Sequence, residues 1–172
     1  LLRIATLDSI QPDALRELAS AFVAHPEWGL VYTDEDKIDD DGVRSDPYFK
    51  SDFNPDLLCA HNCISHLTAS RRHLIEAVGG FRSICDGSQD WDLVLRVAER
   101  LGPEGLGHIP RVLYHWRAWA GSTAAAAGAK PYACDAALRA IGDHLARTGQ
   151  HAEVVALPEQ PGDDQGIDPR WS

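Results

Sequence analysis

The segment 87–117 constrains the fold more than any other part of the chain. Residues 90–101 set Leu93, Val94, Val97 and Leu101 at helical spacing, which predicts an amphipathic helix with Asp90 and Asp92 in its first turn. Short apolar runs at 106–109 and 112–116, parted by Pro110, follow at once and read as strands. A helix that hands over directly to β-formers implies an α/β fold when the same alternation recurs elsewhere.

It does recur. Pro12 and Asp13 suit a helix start, and Leu15, Leu18, Ala19 and Phe22 make an apolar stripe over 12–25. Residues 28–32 read as a buried strand, Asp41 with Gly42 as a turn, and 43–56 as an extended loop punctuated by Pro47 and Pro55. A strand is expected over 64–69 and a helix over 71–78, stopped by Gly79 and Gly80. Gly121, Ser122 and Thr123 open a small-residue loop, a long helix covers 132–148 up to Gly149, and a last strand covers 152–157. Residues 158–172, rich in Pro, Gly, Asp and Gln, read as a disordered tail or linker, which leaves 1–157 as the domain.

Composition excludes several functions. At 172 residues the chain can bury a core of its own. A formal net charge of -10 is the wrong sign for a general nucleic-acid binder, which needs a basic stripe to displace counterions. No apolar run approaches a membrane span, and no signal-peptide layout opens the chain. Cys59, Cys63, Cys85 and Cys134 are scattered, which suits a reduced, cytoplasmic setting. With His61 and His66 nearby, their spacing still fits no closed zinc pattern. The absence of methionine, even at position 1, reads as a segment cut from a longer protein.

Three constellations carry chemistry. Asp34, Glu35 and Asp36 follow the strand at 28–32, on the rim where open α/β sheets bind ligands. Their oxygens suit a divalent cation or sugar hydroxyls, and equally a solvated acidic loop. Asp90 and Asp92 either cap a helix or offer one carboxylate as a general base. His115 and Arg117 alternate with Trp116 and so share a strand face, where an imidazole can bind metal and a guanidinium can clamp a diphosphate. No glycine-rich phosphate loop is present.

Taken in order, the segments resemble the family 2 glycosyltransferases, bacterial enzymes of GT-A fold that use nucleotide-diphosphate sugars. The resemblance runs from Pro12 to about residue 157. It rests on Tyr-Thr-Asp-Glu-Asp-Lys-Ile-Asp at 32–39, Asp-Pro-Tyr-Phe-Lys at 46–50, Asn-Pro-Asp-Leu-Leu at 54–58 and Val-Gly-Gly-Phe-Arg at 78–82. Gln-Asp-Trp-Asp-Leu at 89–93, the run 108–117 and Gly-Ser-Thr-Ala at 121–124 complete it. It implies a partial GT-A-like open mixed sheet flanked by helices. The activity implied is inverting hexosyl transfer to a saccharide or lipid-linked acceptor in surface polysaccharide assembly. Membrane association would then be peripheral, through a partner.

The same resemblance implies residue roles. Asp90 falls at the catalytic base, with Gln89 in place of the usual first acid and Asp92 as a structural acid. Asp34, Glu35, Asp36, Trp91 and Arg117 would bind substrate, with Asn62 and His66 on the acceptor side. Mg²⁺ or Mn²⁺ would fall to Asp8, the remnant of an Asp-x-Asp motif, and to His115, since Trp119 stands where relatives carry a His. The family's first βαβ half, which holds the nucleotide, has no counterpart here. An N-terminal half or another chain is expected to complete the sheet. A degenerate domain that binds glycan or scaffolds a partner is the alternative.

Overall fold

The structure, a computed structural model, describes residues 8–117, 131–156 and 167–171. A mixed sheet is built on β2 (Leu30–Ile38), which runs parallel to β5 (Leu106–Arg117) and antiparallel to both β3 (Arg44–Tyr48) and β4 (Thr68–Ser70). β1 (Ser9–Ile10) pairs antiparallel with the far side of β5, so the order is β1-β5-β2-β3 and the sheet is open. The expected α/β class with an open mixed sheet flanked by helices is what the chain forms.

Helices cover both faces. Leu30, Tyr32 and Leu106 face a core shared with α2 (Pro55–Ala60), α4 (Gln89–Leu101) and α5 (Pro131–Thr148). Val31, Leu113 and Tyr114 face α1 (Ala14–Ala24), whose Ala14 and Leu18 are buried against them. The short α3 (Arg72–Ala77) lies between β4 and the loop that leads to α4. Gly107 is obligatory where β5 passes Trp28, because a Cβ there would lie 2.1 Å from the indole ring.

Several elements differ from expectation, each for a local reason. The strand expected at 28–32 continues to Ile38, straight through the acidic run, because β5 and β3 pair along it. The strands expected at 106–109 and 112–116 are one strand, β5, in which Pro110 sits at an irregularity. The loop expected over 43–56 contains β3 and the start of α2. Asn54 caps that helix by accepting from the Asp56 and Leu57 N–H groups, and Pro55 takes its first position. Ile167–Trp171, expected in a disordered tail or linker, forms β7 and pairs antiparallel with β6 (Ala152–Ala156). The loop at 121–123 and Trp119 lie outside the described residues.

Candidate functional site

Strand alternation places Asp34 and Asp36 on the Tyr32 side of β2 and Glu35 on the Val31 side. Each of the three acids meets a histidine. Asp34 Oδ1 lies 2.8 Å from His108 Nε2, Glu35 Oε2 lies 3.3 Å from His66 Nδ1, and Asp36 Oδ1 bonds His115 Nδ1. The irregularity in β5 makes this possible. Tyr32 to Asp36, four steps along β2, match His108 to His115, seven steps along β5, so strand slack lets both histidines reach their acids.

Further partners complete each pair. Asp34 also accepts from the Lys50 backbone N–H at 2.9 Å, and His108 Nδ1 lies 3.5 Å from Asp52 while its ring stacks on Tyr32. Asp36 accepts from Arg44 Nε at 2.5 Å. Glu35 accepts from the His66 backbone N–H at 3.1 Å and lies 3.8 Å from Lys50 Nζ. The Lys50 ammonium is buried and donates to the carbonyls of Ser65 and His66 at 2.8 and 2.6 Å. Burial pushes its pKa down to about 8, against the pull of Glu35 and Asp34. His108, Lys50 and Arg44 are site residues that sequence reasoning missed; their signal was the basic or imidazole residue needed to neutralise acids inside a strand.

The loop after α2 carries Asn62 and brings His66 to this cluster. Asn62 Oδ1 is a buried acceptor with no donor among the described residues, a state that costs about 1–3 kcal/mol when nothing fills it. His66 stacks on Tyr114 at 5.0 Å and tilts against Trp116 at 5.6 Å. Tyr114 in turn donates its hydroxyl to Asp8.

The two acids of α4 part company. Ser88, not an aspartate, holds the N-cap position, and its hydroxyl donates to Ala133 O at 2.8 Å instead of capping the helix. Asp92 is fully buried and bonded by Arg82 and by Arg96, whose Nε and Nη2 lie 3.0 and 2.6 Å away. Burial raises its pKa, but the hydrogen bonds from Arg82 and Arg96 outweigh it and hold the carboxyl below its ordinary range. Arg96 also donates to Val78 O and Gly80 O, and the positive φ of Gly79 and Gly80 ends α3. Asp90 is half-buried and has neither hydrogen bond nor ion pair among the described residues. Trp91 lies in the core at 2% exposure, its indole N–H bonded to Leu58 O at 2.8 Å, so it supports the helix from beneath.

Asp8 and His115 are both hydrogen-bonded at the end of the sheet. One Asp8 oxygen accepts from Tyr114 and the other from the Arg117 backbone N–H at 3.0 Å, so both already clamp the end of β5. His115 is buried with Nδ1 spent on Asp36. Among the described residues no cluster of three metal-ligating side chains forms. The Arg117 guanidinium reaches Asp39 O at 3.4 Å and Asp40 at 3.6 Å. It is therefore turned to the β2–β3 turn.

Among the described residues no helix is long and apolar enough to cross a membrane. No family model matches the chain. An uncharacterized protein of Sinorhizobium fredii (strain NBRC 101917 / NGR234), y4gI, is 47% identical over 152 residues, which cover 88% of this chain and 17% of that protein. The O-antigen biosynthesis protein RfbC of Myxococcus xanthus is 43% identical over 149 residues, covering 87% of this chain and 12% of its own length. The chain thus spans less than a fifth of either relative, and it is similar to a segment of each.

Proposed function

We propose that the chain is the acceptor-side part of a nucleotide-sugar glycosyltransferase that works in surface polysaccharide assembly. The process is supported by the similarity to a protein named for O-antigen biosynthesis. The reaction is supported by one observation above all: among the described residues Asp90 has no partner, while Asp92, two residues on, is locked by arginines. A carboxylate that no described residue bonds, in the first turn of a helix, is free to take a proton.

In this scheme an acceptor hydroxyl attacks the anomeric carbon of a hexosyl donor. The new C–O bond forms as the bond to the nucleoside diphosphate breaks, and the hydroxyl proton passes to Asp90. Asn62 and His66 would line the acceptor side, and Asp34, Glu35 and Asp36 with their histidines would support it from the sheet.

General-base catalysis is worth about 10²–10⁴-fold. Asp90→Asn in the full-length protein, assayed with UDP- and dTDP-hexoses and an oligosaccharide acceptor, is expected to lower transfer by about that factor. Unchanged turnover overturns the assignment. The engagement of both Asp8 oxygens favours a second reading, a non-catalytic domain that binds glycan or scaffolds a partner. Calorimetry with the same nucleotide-sugars and Mn²⁺ separates the two, because tight metal-dependent binding rules the second out.

A further inference from the structure

Among the three acid–histidine pairs of the sheet, Glu35 and His66 differ in one respect: the histidine side chain is 33% exposed, whereas those of His108 and His115 are 5% and 8% exposed. An ionised carboxylate only accepts hydrogen bonds, so the ring nitrogen that faces Glu35 Oε2 must carry the proton. The lone pair of the neutral ring then sits on Nε2. That nitrogen has no hydrogen-bond partner among the described residues. A half-turn about Cβ–Cγ would keep the stack on Tyr114 but set a carbon against Glu35, so the carboxylate selects one orientation.

The loop that carries the ring is fixed at the same point. Glu35 Oε2 also binds the His66 N–H, and Lys50 Nζ holds the carbonyls of Ser65 and His66. We propose that Glu35 and His66 form a dyad whose Nε2 accepts a hydrogen bond from a hydroxyl of a saccharide substrate, with Lys50 as its positioning residue. The saccharide rests on the transferase reading; the state of the ring does not. A bonding partner for one ring nitrogen sets the chemistry of the other, as in any carboxylate-oriented imidazole.

Long-range ¹H–¹⁵N spectra of the ¹⁵N-histidine-labelled chain, at a pH where the ring is neutral, read the tautomer directly. The wild-type ring of His66 is expected to be protonated mainly at Nδ1, and a majority of Nε2–H overturns the dyad without any variant. In Glu35→Ala the majority is expected to reverse to Nε2–H, and an unchanged ratio overturns the role of Glu35. Lys50→Met is expected to lower the Nδ1–H fraction, and no change removes Lys50 from the proposal. Glucose and mannose, added as free pyranose probes, are expected to move the His66 Nε2 resonance and to leave the Glu99-bonded ring of His144 in place. No movement with either sugar overturns the hydroxyl contact. None of these outcomes depends on Asp90, whose own variant tests the transferase reading.

Discussion

The acids of β2 and the buried acid of α4 are both taken out of water, yet they are held by different partners. Asp92 is gripped by two guanidinium groups, which stay charged at any pH the fold survives. Asp34, Glu35 and Asp36 are held mainly by imidazoles, with a lysine and an arginine at the margins. Arginine pairing makes a fixed joint that ties α4 to the loop before it and to Asp143 on α5. At Glu35 the imidazole pairing fixes the ring tautomer and leaves the second ring nitrogen of His66 without a partner among the described residues. The same side chain thus serves as scaffold in one place and as candidate chemistry in the other, according to what faces it.

The largest effect is expected at the arginine joint. Asp92→Ala leaves Arg96 buried with its ion pair broken, a change that costs about 3–5 kcal/mol. Urea denaturation measures it, and a loss below 1 kcal/mol would put Asp92 on a par with a surface ion pair. At an imidazole joint, His108→Ala removes the bond to buried Asp34 and the stack on Tyr32. A cost of about 1.5–3 kcal/mol is expected for a hydrogen bond to a charged group. A cost equal to that of Asp92→Ala would erase the distinction between the two kinds of joint.

Lys50 sharpens the comparison through pH. Its folded pKa of about 8 lies below the ordinary value of 10.5. Between those values the unfolded chain holds a proton that the folded chain has released, so stability rises with pH across that window, by at most about 1.4 kcal/mol per unit. Lys50→Met is expected to abolish that part of the slope, and identical slopes in the two proteins would assign it to other groups. Asp92 acts at the opposite end: its carboxyl, held below the ordinary range, contributes stability that is lost as pH falls through its folded pKa. The smallest effect is expected at Asp90. Asp90→Asn should change the unfolding free energy by less than about 0.5 kcal/mol while it lowers transfer about 10²–10⁴-fold, and a large loss of stability would make Asp90 a scaffold residue like Asp92.

Much of the fold was legible because it depends on local periodicity. The stripes of α1 and α4, the long helix α5 up to Gly149 and the turn at Asp41 and Gly42 follow from local pattern and turn chemistry. The start of α2 was legible too, in the Asn-Pro step at 54–55, but the density of prolines around it reads equally well as loop. Strand β7 was hidden in a composition that favours disorder, since pairing with β6 is a tertiary event. At the site, Asp90 and Asp92 share the first turn of α4 but lie on different faces, and Arg96, four positions after Asp92, is a sign in the sequence of which acid is paired. The resemblance made Trp91 a substrate contact, yet the helix turns it into the core.

The sequence by itself determined the α/β alternation, the helix that presents two acids, and the concentration of carboxylates on one strand, because these are properties of near neighbours. Only the tertiary structure decided which acids are spent and which are free. That choice depends on Arg82, Arg96, His66, His108 and His115, which lie from 4 to 79 positions from the acids they bind. The irregularity in β5 sets the register that brings two of those histidines to β2. A carboxylate in a folded protein takes its role from the charge and the protons placed against it, and for most of these acids the groups that supply them come from elsewhere in the chain.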